Sequence, residues 1–321
     1  MPMTTLDEQT LLNACRDYPE QLIFIMGSHR SGTTFLHNLL AQTGAFDFVS
    51  AYEVIHYGEL LSNRAAGREA EAKAGLQSAL REDVGETRGL DHVRVDVNLP
   101  EEYGFLLPGY DLFVPRLTEE HAGAFQDLLK KKRSLAGERR RLLLKEPNEF
   151  YGNLAGVLGL YPGALYVFNH RHPLAVLQSH VTSWTSVYEK ENPYLMRLNP
   201  RYREIMNDPM QRMHHRLYMH TKDAVEFILN HLAEGCRHYL ETVDRFPAGQ
   251  RCVVKYEDVL YCPEATLSRL ASFLGLEAGR LDVAAISPRP ARISPLVRDV
   301  YTERMDAFGA YRDALGYPDY P

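Results

Sequence analysis

The sequence has few cysteines, a single tryptophan and no long apolar run. Its four cysteines are scattered over 321 residues and form no C-x-x-C pair, which excludes a disulfide scaffold. No stretch approaches the roughly 18 to 20 apolar residues that cross a bilayer. Acidic residues near the start stand where a signal peptide needs a basic end. We therefore expect a soluble cytoplasmic protein without membrane insertion, whose thiols stay reduced.

The sequence also lacks an excess of basic residues. It has 36 Lys and Arg against 42 Asp and Glu, a net charge of −6. Binding to the nucleic-acid backbone needs clustered positive charge, so we expect no nucleic-acid partner, and any anion site must be local. The 13 histidines fall in no H-x-E or H-E-x-x-H pattern, so no metal site is expected either.

Short apolar runs that alternate with helical patterns make up most of the chain. Buried strands are predicted at Gln21 to Met26, Leu142 to Leu144, Leu165 to Phe168 and Cys252 to Val254. The first and third lead directly into amphipathic helices, the latter with Pro173 in its first turn. The pattern predicts an α/β fold with a P-loop-like parallel sheet flanked by helices.

Residues 57–140 interrupt this alternation with polar helical and proline-rich segments. Since substrates of open α/β folds bind at the carboxyl edge of the sheet, we interpret 57–140 as a helical cap that forms part of a substrate site. No linker separates two units, so residues 1–321 are predicted to form a single domain. A further long helical stretch is predicted around Pro209 to Tyr239.

The loop after the first strand has the G-x-x-x-x-G spacing of a phosphate-binding loop, from Gly27 to Gly32. Such glycines let backbone N–H groups and a helix N-terminus surround an anion, although the spacing also occurs in structural turns. Thr33 stands where a nucleotide triphosphatase has lysine, and Arg30 supplies the cation instead. The loop predicts an anion site.

Arg171 and Ser179 form a second pair at the end of a strand and inside the following helix. Taken alone, an arginine at a strand end and a serine inside a helix are common structural residues and do not indicate a binding site. Together with the loop, they predict a ligand with two phosphate-like ends.

Four segments of the sequence, taken in their order along the chain, together point to one particular family. IFIMGSHRSGTTFLHNLL, LLLKEPNEF, YPGALYVFNHRHPLAVLQSHVTSW and VVKYEDVLYCPEATLSRLASFLGL resemble the sulfotransferases that depend on 3′-phosphoadenosine 5′-phosphosulfate (PAPS). The likeness spans about Gln21 to Leu276 and is strongest to the tyrosylprotein-type and bacterial branches, whose loop reads R-S-G-T-T. It implies the sulfotransferase fold and transfer of a sulfuryl group from PAPS to the hydroxyl of an alcohol or phenol.

The resemblance also assigns residues. It implies that the 5′-phosphosulfate is held by Arg30, Ser31, Gly32, Thr33 and Thr34. It further implies that Arg171 and Ser179 bind the 3′-phosphate and that Lys145 contacts the sulfuryl group. Tyr256, Glu257 and Asp258 match a Y-E-D segment that we interpret as mainly structural. His172 and Glu146 depart from the family's usual residues, and the R-K-G-x-x-G segment of small-molecule sulfotransferases is missing.

The acceptor hydroxyl needs a general base, for which Glu53 is the first candidate by resemblance to the tyrosylprotein-type and bacterial branches. His56 and His92 are its rivals, since imidazole titrates near neutral pH. Glu53→Ala is then expected to cut turnover by about 10²-fold. A P-loop kinase with an altered loop and a non-catalytic nucleotide-binding module remain alternatives. The acceptor, small or carrier-bound, and the oligomeric state stay open.

Overall fold

The computed structural model describes residues 7–16, 21–89, 93–109, 115–135, 141–277, 281 and 292–320. In this part of the chain the strands are β1 (Gln21–Met26), β2 (Asp47–Phe48), β3 (Arg141–Lys145), β4 (Leu165–His170) and β5 (Arg251–Lys255). They form one sheet in the order β2-β3-β1-β4-β5, and every neighbouring pair is parallel. The four predicted strands and the α/β class are confirmed; β2 was not predicted.

Helices connect the strands and cover both faces of the sheet. They are α1 (Glu8–Asn13), α2 (Thr33–Gln42), α3 (Ala51–Ile55), α4 (Leu60–Ala65), α5 (Glu69–Asp83), α6 (Ala122–Leu135), α7 (Leu154–Leu160), α8 (Pro173–Glu189), α9 (Pro193–Leu198), α10 (Pro200–Asn207), α11 (Pro209–Tyr218), α12 (Lys222–Thr242), α13 (Tyr256–Tyr261), α14 (Pro263–Phe273), α15 (Pro295–Glu303) and α16 (Gly309–Leu315). None of these helices is both long enough and apolar enough to span a bilayer.

The stretch predicted around Pro209 to Tyr239 is two helices, α11 and α12, and not one. The break falls at Thr221, whose side chain accepts a hydrogen bond from the Ala224 N–H and so begins α12. A threonine that caps the next helix is a local stop signal that apolar spacing alone does not reveal.

Two apolar cores sandwich the sheet because side chains alternate along each strand. Phe24 of β1 points into a core formed with α8 and α12, whereas Ile23 and Ile25 point into a second core with α2 and α14. All three side chains are at most 1% exposed. A strand buried on both faces reads as a continuous apolar run, which explains why β1 was predictable.

The connections that follow β1 and β4 cover opposite faces of the sheet. After β1 the chain enters α2, which packs into the core of Ile23; after β4 it enters α8, which packs into the core of Phe24. Since β1 and β4 are neighbours, a crevice opens between their carboxyl ends. Ligands of open α/β sheets bind at such a switch point.

Candidate active site

The loop between β1 and α2 has a tightly constrained backbone. Arg30 and Gly32 take positive φ values of 68° and 98°. A Cβ on Gly32 would lie 2.5 Å from the Tyr256 ring, and one on Gly27 would lie 2.2 Å from the Asn169 carbonyl oxygen. Both glycines are therefore required for the loop to pack against the ends of β4 and β5, and the left-handed Arg30 carries strain of the kind found at ligand sites.

The same loop presents donors that the protein itself leaves unused. Helix α2 begins at Thr33, and no side chain caps its first N–H groups among the described residues. The Ser31 hydroxyl is buried and likewise has no hydrogen-bond partner in the described part of the chain. Free N–H groups at a helix N-terminus, with a buried hydroxyl beside them, suit a bound anion.

Arg171 and Ser179 both contact the loop. The Arg30 Nε–H donates to the Ser179 hydroxyl at 3.2 Å, and Arg171 Nη1 donates to the Arg30 carbonyl oxygen at the same distance. The Arg171 guanidinium also lies 4.8 Å from the centre of the Tyr256 ring. The loop and the Arg171–Ser179 pair, both predicted to bind anions, thus contact each other at the switch point. Tyr256 lies beside Arg171 and beside Gly32 of the loop.

Lys145, at the end of β3, links the loop to the residues of 57–140. Its ammonium donates to the Thr34 hydroxyl at 3.0 Å and to Glu102 Oε1 at 2.8 Å, and the residue is 1% exposed. Burial acts to raise the pKa of Glu102, but the Lys145 ammonium opposes it and the pKa stays below its ordinary value. Glu102 is therefore an ionised carboxylate beside the loop.

A cavity of about 140 Å³ opens in front of this group. The loop lines it with Arg30, Thr33 and Thr34, and the segment 57–140 lines it with Arg88, Glu101, Glu102 and Phe105. Its remaining wall is largely apolar and comes from α8 and α9, including Trp184, Val187, Leu195 and Leu198. The cavity thus combines charged groups of both signs with an apolar wall that can pack against an apolar body.

Two neutral histidines stand at the cavity side of the loop. Burial lowers the pKa of His29 and brings that of His180 well below its ordinary value. His29 Nε2 lies 2.7 Å from Asn148 Oδ1, whereas both ring nitrogens of His180 are buried without a hydrogen-bond partner among the described residues. Their rings are 5.7 Å apart. Neither adds positive charge to the site near pH 7.

A buried ion pair also lines the cavity. Arg88 Nη1 donates to Glu101 Oε1 at 3.1 Å, and the Tyr194 hydroxyl donates to the same oxygen. Burial raises the pKa of Glu101 even though Arg88 opposes the shift. The pair fixes the segment that carries Glu101 and Glu102 against α9.

Glu146, which departs from the family pattern, anchors the segment 57–140 to the sheet. Its carboxylate accepts from the Gly104 N–H at 3.0 Å and from the Asn148 N–H at 3.1 Å. Nearby Glu149 accepts from the Tyr103 hydroxyl and the Leu117 N–H, both at 2.8 Å. Burial raises the pKa of Glu146 well above its ordinary value and that of Glu149 to about 7. Glu146 therefore has a local structural role.

His172, the other departure, caps helix α8. Its Nδ1 accepts from the Leu174 N–H at 3.2 Å, and its Nε2 lies 2.9 Å from the Pro318 carbonyl oxygen. Glu257 accepts from the His172 N–H at 2.9 Å and from the Tyr317 hydroxyl at 3.1 Å. Glu257 of the Y-E-D segment thus ties the C-terminal residues to the start of α8, which fits the structural role expected for that segment.

The expected position of Glu53 beside the loop is wrong. Glu53 forms a capping box with Ser50 at the start of α3, and its Oε1 accepts from Lys132 at 2.7 Å. Lys132 also binds Asp47 at 3.0 Å. Both Glu53 oxygens are thus engaged in a separate, polar cavity behind β2 that contains none of the loop residues described above. Its role as the base stays a prediction without geometric support.

Glu53→Ala is expected to lower the free energy of unfolding by about 3 kcal/mol, because Lys132 loses a buried partner and α3 loses its cap. Urea denaturation of both proteins measures this change. Glu53→Gln is the matched control, since an amide oxygen can still accept from Lys132 or from the Ser50 N–H. An unchanged denaturation midpoint for Glu53→Ala would contradict the structural assignment.

Of the two rival histidines, only His56 lies within the described residues. His56 is 3.4 Å from Glu59, its ring lies 5.1 Å from the Tyr52 ring, and it does not line the cavity at the loop. His92 lies outside the described residues. Within the described ranges, no group of three or more His, Cys, Asp or Glu residues could hold a metal ion.

Glu102, His29 and His180 were not predicted as site residues. The adjacent acids Glu101 and Glu102 lie in a segment without a recognisable motif. The one feature of the sequence that could have pointed to them is that two acids directly precede a stretch rich in aromatic residues. His29 stood inside the loop motif itself and His180 directly after Ser179.

Comparisons with known proteins agree with the fold and with the family resemblance of the sequence. The model of the sulfotransferase family matches residues 21–279. Among solved structures, sulfotransferase STF9 from Mycobacterium avium is 15% identical with a TM-score of 0.65, covering 97% of this chain and 80% of that one. Sulfotransferase STF1 from Mycobacterium tuberculosis is 16% identical with a TM-score of 0.50, covering 95% and 80%. These likenesses show the fold, and no curated protein matches significantly.

The family model covers most of the chain, including the loop, Lys145, Arg171 and Ser179. The chain therefore belongs to the sulfotransferase family, as a PAPS-dependent enzyme.

Proposed function

We propose that the protein transfers the sulfuryl group of PAPS to a hydroxyl of a compact alcohol or phenol, with Glu102 as general base. The observation that carries this proposal is the contact of Lys145 with both Thr34 of the loop and Glu102 of the cavity, at 3.0 and 2.8 Å. One cation thus touches the predicted donor site and the carboxylate that faces the acceptor site. Such an arrangement suits in-line transfer, in which positioning and electrostatics supply most of the catalysis.

The loop fits the 5′-phosphosulfate of PAPS. The uncapped N-terminus of α2, the unpartnered hydroxyl of Ser31 and the glycines that permit close backbone approach all favour an anion there. We assign Arg30, Ser31, Gly32, Thr33 and Thr34 to this group. PAPS supplies the electrophilic sulfur, which carries less charge than a phosphoryl dianion, so that the residues named here suffice without a metal.

Arg171 and Ser179 are assigned to the 3′-phosphate. Arg171→Ala is expected to weaken binding of adenosine 3′,5′-bisphosphate by about 10- to 100-fold, since a charged hydrogen bond contributes about 1.5 to 3 kcal/mol. Calorimetric titration measures this affinity. Arg245→Ala, which removes an exposed arginine elsewhere, is the matched control.

Adenosine 5′-phosphate, which lacks the 3′-phosphate, separates a direct contact from a general loss of charge. If Arg171 binds that phosphate, the variant should bind the two nucleotides nearly alike, whereas the parent protein should prefer the bisphosphate. An unchanged preference in the variant would remove Arg171 from this site.

In the acceptor site, Glu102 is placed to receive the hydroxyl proton. Lys145 donates to its Oε1, and no described residue donates to Oε2, which leaves that oxygen for the acceptor. As the proton passes to Glu102, Lys145 and Arg30 stabilise the negative charge that moves toward the loop. The apolar wall of Phe105, Trp184 and Leu195 excludes water from the acceptor end.

The size and lining of the cavity support a compact acceptor. A cavity of about 150 Å³ is known to accept a benzene ring, and the value here is about 140 Å³. We further propose that residues 57–140 act as the cap of a single domain and form part of the acceptor site. The positions of Arg88, Glu101, Glu102 and Phe105 in the cavity wall support this.

Transfer of radioactive sulfur from labelled PAPS to a panel of phenols and small alcohols tests the function. We expect acceptor-dependent release of adenosine 3′,5′-bisphosphate that chelators do not affect. Tight nucleotide binding without transfer to any acceptor would favour a non-catalytic module. Phosphorylation from ATP and Mg²⁺ would favour a kinase.

A further inference from the structure

Helix α11 presents large apolar side chains to solvent. Met210 is 80% exposed, Met213 51% and Leu217 63%. Their spacing of three and four residues places them on one face of the helix, and no residue of α11 is buried. Single exposed apolar residues are ordinary, but an aligned stripe of three marks an interaction surface.

The surroundings of this stripe are basic in an otherwise acidic chain. Residues 197–220 contain five arginines and two acids, whereas the whole chain has a net charge of −6. Two of these arginines are paired with acids, Arg197 with Asp83 and Arg201 with Glu204. Arg203 and Arg216 are exposed and form no salt bridge with any described residue. Arg212 is 3.8 Å from Glu191 at half-exposed positions. We call Met210, Met213, Leu217, Arg203 and Arg216 the α11 surface.

From this combination we propose that the α11 surface docks on the surface of an anionic phospholipid bilayer. A short helix with an apolar stripe beside basic residues is the pattern of an interfacial helix, whose apolar side chains enter the headgroup region while its arginines contact lipid phosphates. This is attachment to one leaflet and needs no membrane-spanning segment.

The charge favours lipid over a second copy of the chain. A two-fold interface would bring the α11 surface against itself, so that the unpaired Arg203 and Arg216 of both copies would approach one another. An anionic bilayer instead offers negative charge across the whole docked face.

The helix that carries this surface is connected to the cavity through one neighbouring helix. Helix α11 packs against α8 and α10, and α8 contributes Trp184 and Val187 to the cavity wall. Docking through α11 therefore brings the acceptor site close to the bilayer.

Flotation of the full-length protein with vesicles tests the proposal. We expect binding to vesicles of phosphatidylcholine with phosphatidylglycerol, little binding to phosphatidylcholine alone, and release by salt. The double variant Met213→Gln with Leu217→Gln should bind vesicles at least about tenfold more weakly, because the polar side chains no longer bury apolar surface in the headgroup region. Arg216→Glu should weaken binding by about tenfold as well.

Matched controls change the same kinds of side chain elsewhere. Tyr261, 70% exposed on α13, serves as Tyr261→Ser, and Arg245→Glu reverses an exposed charge away from α11. Both controls should bind vesicles like the parent protein, and all variants should keep their affinity for adenosine 3′,5′-bisphosphate. The proposal is overturned if the parent protein does not bind anionic vesicles, if the α11 variants bind unchanged, or if they instead abolish a dimer in solution.

Discussion

Lys145→Met is expected to lower kcat by about 10²- to 10³-fold, the range found when one preorganised donor to developing charge is removed. Lys145 is buried at the end of β3 and contacts both Thr34 and Glu102. The bisphosphate product lacks the sulfuryl group, so its affinity should change little. Steady-state kinetics with saturating PAPS, together with titration of the bisphosphate, measure both quantities.

Removal of a buried lysine also leaves a carboxylate unpaired, and this must be separated from the loss of catalysis. Lys131→Met is the matched control, because Lys131 is 3% exposed and donates to Glu8 at 2.6 Å away from the cavity. It should lose stability without losing kcat. A variant Lys145→Met that folds stably and keeps the parent kcat would contradict the assignment.

Glu102→Gln is expected to reduce kcat by about 10²- to 10⁴-fold, the usual contribution of a general base. The amide keeps the shape of the side chain and an oxygen for Lys145, but it cannot take the acceptor proton. Glu53→Gln serves as the control, since that change lies in the separate cavity behind β2. A large loss in Glu53→Gln with normal turnover in Glu102→Gln would reverse the assignment.

The pH profile gives an independent test of the same group. Because the Lys145 ammonium opposes the effect of burial and the pKa of Glu102 lies below its ordinary value, Glu102 stays ionised as the pH falls. The acid limb of kcat/KM should therefore lie below about pH 4.3, the ordinary value for Glu. An acid limb near pH 6.5 would instead indicate that a histidine with an ordinary pKa acts as the base.

The first strand and the loop after it were predictable because their signals are local in sequence. The run Gln21 to Met26 is apolar throughout because β1 is buried on both faces. The glycines that follow it are needed where the loop packs against Asn169 and Tyr256. Strand β2 was missed because only two residues, Asp47 and Phe48, pair with β3.

The position of Glu53 was predicted wrongly because it depends on packing between distant segments. Ser50 and Glu53 have the spacing of a capping box, a signal in the sequence that favoured a structural role. The burial of Lys132 against Glu53 could not be read from spacing. Glu102 reaches the loop only because Glu146 and Glu149 bind residues of 57–140 across more than thirty positions of sequence.

The site has a consequence for how the chain folds. The Arg30 to Ser179 contact closes a separation of 149 residues, and the Lys145 to Thr34 contact one of 111. Contacts so remote in sequence form only after the intervening chain has ordered, and they make folding slow. β1, β3 and β4 must therefore be in register before the loop, the lysine and the serine can meet. Catalytic activity regained during refolding should thus follow the completed sheet and lag behind the appearance of helix.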